Sequence, residues 1–124
     1  MRIEPLHEWN LNPKQAIELQ KQLAFEVVGE DCFDAAAVKT VAGIDLGYDA
    51  KSDTSRAVVV VLKFPELELL ESAEATLPIQ FPYVPGLLSF RETPVAIKAL
   101  EKLATAPDLI ICDGQGLAHP RRFG

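Results

Sequence analysis

The sequence predicts an α/β domain in which a mixed sheet, made of three antiparallel strands and a parallel fourth, is flanked by helices. The first observation is the order of hydrophobic patterns along the chain, which indicates helix, three strands, helix, strand. The second is the continuous apolar run 58–62, which is typical of a strand covered on both faces. The third is the length, because 124 residues, 48% of them hydrophobic, provide one compact core and no second domain of ordinary size. We therefore expect residues 1–124 to form a single domain.

The first element is predicted to be an amphipathic helix between Asn12 and Gly29. Asn12 suits a helix cap, Pro13 suits the first helical position, and Gly29 suits the residue just past the end. Charged and amide side chains fill one side of the segment, so we expect the other side to pack on the core. The apolar side consists of Ala16, Leu19, Leu23, Ala24, Val27 and Val28.

Three strands are predicted to follow the helix. Residues 41–44 form a short apolar run and residues 56–64 a longer run rich in β-branched side chains. The polar stretch 49–55 between them indicates a turn, which makes these two strands an antiparallel hairpin. Residues 67–77 alternate more regularly, as suits a strand at the edge of a sheet.

The second half of the chain is predicted to contain a stiff loop, a helix and a final strand. Residues 81–88 (FPYVPGLL) include two prolines and a glycine, which predict an exposed irregular loop with aromatic content. The pair Thr93-Pro94 favours a helix start, with the helix over 93–104 and Glu92 at its mouth. A strand over 107–112 should then end at the glycine turn 114–116.

Composition restricts the class of protein. No apolar run approaches the roughly 20 residues that span a bilayer and the amino terminus does not resemble a secretory signal, so we expect a cytosolic protein. The two cysteines are expected to be free thiols, with Cys112 buried inside the apolar run 109–112. Twelve Lys and Arg against eighteen Asp and Glu give a net charge of −6, which argues against binding phosphate backbones by bulk charge alone.

Three carboxylates are predicted to lie at the ends of elements: Asp45 after the first strand, Glu92 at the helix mouth and Asp113 after the last strand. If the first and fourth strands pair in parallel, Asp45 and Asp113 emerge side by side, about 5 Å apart. Two such carboxylates repel each other unless a proton or cation lies between them. Oxygen ligands favour hard ions such as Mg²⁺ or Mn²⁺, which suit phosphodiester hydrolysis. The alternative for any single Asp is a turn or cap residue.

The sequence also resembles a known family. The runs 41–45 (VAGID), 82–92 (PYVPGLLSFRE) and 113–122 (DGQGLAHPRR) are similar, in order and spacing, to the successive motifs of endonuclease V. The resemblance implies a ribonuclease H-like fold and cleavage of the second phosphodiester bond 3′ to deoxyinosine in DNA, or to inosine in RNA. It implies Mg²⁺ as the cofactor, with Mn²⁺ able to substitute. Asp45, Glu92 and Asp113 match the acidic catalytic and metal-site residues of the family.

The resemblance implies substrate-binding roles for the loops. Residues 82–85 match a wedge whose ring, Tyr83, would enter the duplex from between Pro82 and Pro85. The structural alternative for residues 82–85 is a proline-rich connection with Tyr83 packed on the surface. The structural alternative for the glycines is that the turns require them. His119 would contact substrate near the base pocket, although an isolated loop histidine is more often exposed and idle. The remaining implied roles are the pocket for the flipped base, at Gly86, Leu88, Gly114 and Gly116, and phosphate contact, at Arg121 with Arg122.

The resemblance further implies that the chain is the amino-terminal portion of the family's domain, with the last strands, another acidic residue and a catalytic histidine beyond residue 124. The strand 109–112 would then be an open edge, so we expect self-association or aggregation and activity at least roughly a hundredfold below that of an intact member. One alternative is an inert truncated module that only binds nucleic acid. Another is an actin-like ATPase, suggested by 43–47 (GIDLG), but no small hydroxyl residue follows to hold phosphate.

Overall fold

Four strands form one mixed sheet in the computed structural model, which describes residues 1–123. The sheet order is β3-β2-β1-β4; β1 and β3 both run antiparallel to β2, and β1 runs parallel to β4. The predicted mixed sheet, with β3 at one edge and a parallel fourth strand, is therefore confirmed. The strands are β1 (Thr40–Asp49), β2 (Thr54–Lys63), β3 (Leu69–Pro78) and β4 (Leu109–Cys112).

Two helices accompany the sheet, α1 (Pro13–Leu23) and α2 (Leu88–Glu101). One face of the sheet packs against α2, and this layer is the main core. Along β1 and β2 the buried residues alternate with half-buried or exposed ones, as expected for a pleated strand with one face on the core. The core consists of Ala42, Ile44, Ala57, Val59, Val61, Ala75, Val95, Ala96, Ala99, Leu100 and Leu103.

The helix α1 is shorter than its hydrophobic pattern predicts. Its start is as expected, because Asn12 and Gln15 form a reciprocal capping box. The predicted end at Gly29 is wrong, since the helix stops at Leu23 and the amides of Phe25 and Glu26 bond three residues back instead of four. Val27 and Val28 are 39% and 69% exposed, so the segment after α1 has no core to pack on. Helix stability comes mainly from packing an apolar face, and here that face ends early.

The strand β1 is longer than predicted, which moves Asp45 into its interior. The pairing of β1 with β2 continues to Asp49 opposite Thr54, so the hairpin turn is only 50–53. Asp45 is exposed between buried Ile44 and half-buried Leu46, because alternate residues of a pleated strand point to opposite faces. The prediction that Asp45 lies at the end of the first strand is therefore wrong, because β1 continues to Asp49.

The helix α2 begins before the predicted cap at Thr93-Pro94. It starts at Leu88, so Glu92 lies within the helix and Pro94 lies inside it. A proline inside a helix removes the bond to the carbonyl four residues earlier. Burial of one whole face of α2 offsets this loss. That face consists of Phe90, Val95, Ala96, Ala99 and Leu100.

A second, smaller core joins α1 to the loop before α2. Its buried members come from two parts of the chain that are far apart in sequence, residue 16 in α1 and residues 81–90, so α1 packs against the loop 81–87. The loop is irregular, as predicted, but its two ends are buried while its middle is exposed. The cluster consists of Ala16, Phe81, Leu87 and Phe90, with Trp9, Leu11, Ile17, Leu19 and Val84 at its margin.

Both cysteines are free and exposed. The prediction of a buried Cys112 is wrong, because within residues 1–123 β4 is one of the two edge strands of the sheet, and Ile111 beside Cys112 is exposed as well. Among residues 1–123, no helix is long and apolar enough to cross a membrane.

Candidate active site

The parallel pairing of β1 with β4 brings Asp45 and Asp113 to neighbouring positions. Ile44 lies opposite Cys112 at the end of the ladder; Asp45 is the next residue of β1, and Asp113 is the first residue after β4. Neighbouring strands lie about 4.8 Å apart, and in-register residues point to the same face. Both aspartates are exposed. The predicted juxtaposition of the two positions is therefore present, although Asp45 reaches it from within β1.

Glu92 approaches the same region from α2. Partial burial raises the pKa of Glu92, and the negative charge of Asp113 raises it further, while Arg91 acts in the opposite direction. Asp113 also raises the pKa of the Cys112 thiol, after the larger effect of partial burial of that thiol. Asp113 is thus near enough to Glu92 for like-charge repulsion to be felt. We call Asp45, Glu92 and Asp113 the carboxylate edge.

The donor chemistry of the carboxylate edge fits a hard divalent cation. All three side chains offer only carboxylate oxygens, the ligands that Mg²⁺ and Mn²⁺ prefer. Among residues 1–123, no three His, Cys, Asp or Glu side chains are grouped closely enough to hold a metal ion as they stand. The carboxylate of Asp45 instead accepts a hydrogen bond from the Leu46 N–H at 3.0 Å. Repulsion between uncompensated carboxylates favours such separated arrangements, and a cation would offset that repulsion.

The wedge candidate Tyr83 lies on the surface and faces a cation. Its side chain is 71% exposed, and Pro82 and Pro85 on either side are exposed as well. The guanidinium carbon of Arg91 lies 5.9 Å from the centroid of the Tyr83 ring and 4.7 Å from that of the Tyr48 ring. Both distances are within the range of a cation–π contact.

Sequence reasoning missed Tyr48 and Arg91. The signal was present, because strand alternation places Tyr48 on the same face as Ala42 and Ile44, the face that α2 covers. It was lost when the first strand was predicted to stop at residue 44. Tyr48 also donates a hydrogen bond from its hydroxyl to Asp53 Oδ1 at 3.2 Å.

The loop after Tyr83 contains a tight turn over residues 84–87. The Leu87 N–H donates to the Val84 carbonyl at 3.0 Å, with Pro85 and Gly86 as the central pair. Gly86 has φ +81°, which matches the third position of a type II turn and favours glycine there. A Cβ on Gly86 would also lie 2.8 Å from Arg121 Nη2, which is too close.

The Gly86 carbonyl accepts three side-chain hydrogen bonds at once. Gln20 Nε2 donates at 2.9 Å, Arg121 Nη2 at 2.9 Å and His119 Nε2 at 3.1 Å. Arg121 Nε also donates to Gln20 Oε1 at 2.7 Å. The Arg121 N–H donates to His119 Nδ1, so that nitrogen is the acceptor and Nε2 carries the proton. We call Gln20, His119 and Arg121 around Gly86 the Gly86 clamp.

The Gly86 clamp changes the interpretation of three predicted residues. His119 is 4% exposed, so the expectation of an exposed loop histidine is wrong. Arg121 is half-buried and directed at Gly86, whereas Arg122 is exposed. Gln20 is fully buried and was missed, although its spacing of four from buried Ala16 places both on one face of α1.

The other pocket candidates lie on the surface near these elements. Leu88 is 50% exposed at the start of α2. Gly114 and Gly116 are exposed after β4, and Gly116 has φ +53°. A Cβ on Gly116 would meet nothing within 4 Å, so open space lies beside it. Gly86 is the pocket candidate that the structure brings against His119 and Arg121.

Comparison with known proteins identifies relatives of this arrangement. The endonuclease V family model matches residues 21–124. Endonuclease V of Trichormus variabilis is 49% identical over 124 residues, which cover 100% of this chain and 56% of that protein. The chain therefore spans about half the length of the curated relatives it matches.

Solved structures of the same family share the fold. Endonuclease V of Streptomyces avermitilis has a TM-score of 0.86 and 40% identity, covering 94% of this chain and 51% of its own. Endonuclease V of Ciona intestinalis, in complex with a 24mer DNA containing an inosine followed by a ribo-adenosine, has a TM-score of 0.80 and 26% identity. That match covers 90% of this chain and 49% of the Ciona chain. The ribonuclease H-like sheet, the three motif-bearing segments and the sequence match agree: the chain belongs to the endonuclease V family.

Proposed function

We propose that the protein is a metal-dependent endonuclease that nicks nucleic acid at the second phosphodiester bond 3′ to deoxyinosine or inosine. The observation that supports this most strongly is the carboxylate edge, where Asp45 and Asp113 follow paired residues of adjacent strands. There, partial burial raises the pKa of Glu92, and the charge of Asp113 raises it further. A carboxyl group whose pKa is raised by burial and by a neighbouring carboxylate is typical of a functional site, and a cation would offset that repulsion. The inosine-containing DNA bound by the Ciona relative supports the substrate class.

Asp45, Glu92 and Asp113 would hold Mg²⁺, with Mn²⁺ able to substitute. A bound divalent cation would supply charge stabilisation at a scissile phosphate and lower the pKa of a bound water. The carboxylates themselves would orient that ion. Asp45 lies in β1, Glu92 lies in α2 and Asp113 directly follows β4, so the packing of α2 on the sheet would set their spacing.

Substrate binding is assigned to the loops beside this edge. Tyr83 would stack on or between bases as the wedge, since its ring is exposed and restrained by Pro82, Pro85 and the cation of Arg91. The pocket for the flipped base would lie among the backbone groups of Gly86, Leu88, Gly114 and Gly116. His119 and Arg121 would act there mainly by fixing Gly86, which leaves exposed Arg122 for phosphate contact.

A second candidate function is a module that binds inosine-containing nucleic acid without cutting it, because no cluster of metal ligands is preformed within residues 1–123.

The edge strand β4 supports a separate proposal, that the 124-residue chain self-associates. Ile110 and Ile111 are 37% and 58% exposed, and within the described residues β4 pairs only with β1. Such an edge is a template for pairing with a second copy. Light scattering over a concentration series measures it, and a monomer at all concentrations contradicts it.

A nicking assay tests the main proposal. Duplexes with one inosine, and matched duplexes with adenine, are incubated with excess chain in Mg²⁺, in Mn²⁺ and in a chelator. The proposal expects a single inosine-dependent nick that requires the cation, even at a rate roughly a hundredfold below that of an intact relative. Inosine-specific binding without any nick would support the module instead. If neither binding nor cleavage distinguishes inosine from adenine, both the nuclease proposal and the binding-module proposal are overturned.

A further inference from the structure

The peptide unit that joins Gly86 to Leu87 is restrained from both of its polar ends. Its carbonyl accepts from Gln20 Nε2, Arg121 Nη2 and His119 Nε2. Its N–H, carried by Leu87, donates to the Val84 carbonyl at 3.0 Å. Four hydrogen bonds on one planar unit leave it little freedom to rotate.

Gln20 is the centre of this arrangement. Its amide nitrogen donates to the Gly86 carbonyl and its amide oxygen accepts from Arg121 Nε at 2.7 Å. It is 0% exposed, and a buried amide requires both partners to be satisfied. These two contacts join residues 66 and 101 positions apart in the sequence. One side chain of α1 therefore connects the 84–87 turn to the loop that carries His119.

The restrained turn lies between two parts of the candidate site. Tyr83 precedes the turn directly, and Leu88, the first residue of α2, follows it directly. Glu92 is one helical turn further along the same helix. Rotation of the 86–87 peptide would therefore displace the ring of Tyr83 relative to the start of α2.

We propose that Gln20 is a positioning residue for substrate recognition: by holding the Gly86 carbonyl and Arg121 together, it fixes the 84–87 turn and with it the direction of Tyr83. The part of this inference that concerns recognition rests on the proposed function for the identity of the substrate. The structural half, that Gln20 holds the 84–87 turn, does not. Gln20 touches neither the carboxylate edge nor the exposed surface of the wedge. It acts through Gly86 and Arg121.

The structural half is tested by amide hydrogen exchange in the 124-residue chain. Gln20→Glu keeps an acceptor for Arg121 but loses the donor to Gly86, and it places a carboxylate oxygen against the Gly86 carbonyl. Gln22→Glu is the matched control, because it adds the same charge to an exposed position on the same helix. The Leu87 amide should exchange at least tenfold faster in Gln20→Glu, while amides of the central strand β2 stay within twofold. An unchanged Leu87 amide overturns the inference.

A second pair of variants covers the case in which Gln20→Glu does not fold. Arg121→Lys removes the paired Nε and Nη2 contacts, and Arg122→Lys makes the same change at an exposed position. The Leu87 amide should again exchange at least tenfold faster in Arg121→Lys than in Arg122→Lys. Equal exchange in these two variants also overturns the inference.

The functional half is tested by binding. The ratio of dissociation constants for adenine and inosine duplexes should fall about tenfold in Gln20→Glu and remain unchanged in Gln22→Glu. A merely structural role would weaken both duplexes alike and leave the ratio constant, which would contradict positioning. If the parent chain itself shows no preference for inosine, the proposed function fails, and the Leu87 exchange still decides whether the Gly86 clamp holds the turn.

Discussion

The carboxylate edge and the Gly86 clamp differ in whether other groups of the protein compensate their polar side chains. At the edge, partial burial raises the pKa of Glu92, and the negative charge of nearby Asp113 raises it further. In the clamp, every buried polar atom of Gln20 and His119 has a partner within the protein. Satisfied buried groups add rigidity, whereas uncompensated charges indicate a ligand that the protein alone does not supply. The clamp is therefore a rigid part of the structure, whereas the edge is the region where we propose that a cation binds.

The largest expected effect is on cleavage at the edge. Asp45→Asn removes one negative charge where the cation is proposed to bind, and cleavage should fall about a hundredfold or more. Inosine binding should persist, because Tyr83 and Gly86 are unaltered. Single-turnover nicking rates and dissociation constants measure the two quantities. Asp31→Asn, a change at an exposed position outside the sheet, is the matched control. If Asp45→Asn and Asp31→Asn lose cleavage equally, the loss at Asp45 does not come from its place in the carboxylate edge.

The next effect is on stability at the clamp. Gly86→Ala places a side chain at φ +81° and a Cβ 2.8 Å from Arg121 Nη2, so the turn must strain and the arginine must move. We expect a loss of roughly 2–3 kcal/mol in the free energy of unfolding, from backbone strain plus weakened buried hydrogen bonds. Urea denaturation measures it. Gly47→Ala is the control, because a Cβ there meets nothing within 4 Å. If Gly86→Ala lowers the free energy of unfolding no more than Gly47→Ala does, the Gly86 clamp is not rigid.

A smaller effect is expected at the wedge residue Tyr83, which directly precedes the turn that the Gly86 clamp holds. Tyr83→Ala should weaken binding of an inosine duplex about tenfold, the typical value for losing one stacking contact. Stability should change little, because the ring is 71% exposed. Tyr83→Phe keeps the ring and should bind like the parent. If Tyr83→Ala also binds and cuts like the parent, Tyr83 is a surface residue and the wedge proposal is wrong.

The smallest effect concerns Glu92 and pH. Its pKa is raised in the folded protein by burial and by Asp113, so folding favours the protonated form. The stability associated with this group is present below the ordinary pKa of 4.5 and is lost as pH rises through the raised value. Without divalent cations, Glu92→Gln should therefore unfold at higher urea concentration than the parent near pH 7. The difference should shrink below pH 4.5. A destabilised variant at neutral pH would mean that Glu92 is held by favourable contacts instead.

The sequence predicted the edge better than the clamp, for a physical reason. Element order and the apolar run 58–62 imply the sheet topology, and the topology alone brings Asp45 beside Asp113. Burial of Gln20 depends on partners 66 and 101 residues away, so no local pattern contains it. Pro94 within α2 likewise depends on tertiary packing that outweighs a local helix-breaking preference. Local rules thus gave the order of the elements and the sheet topology, but they missed several element ends and the residues that distant segments bury together.

The most direct test is the effect of Mg²⁺ on stability in the parent and in Asp113→Asn. A cation that binds the carboxylate edge of the folded state stabilises it by roughly 1.4 kcal/mol at ten times its dissociation constant. We predict a saturable rise in the melting temperature of the parent with Mg²⁺, and the loss of most of that rise in Asp113→Asn. No rise in the parent, or an equal rise in both proteins, would contradict a cation held by the carboxylate edge.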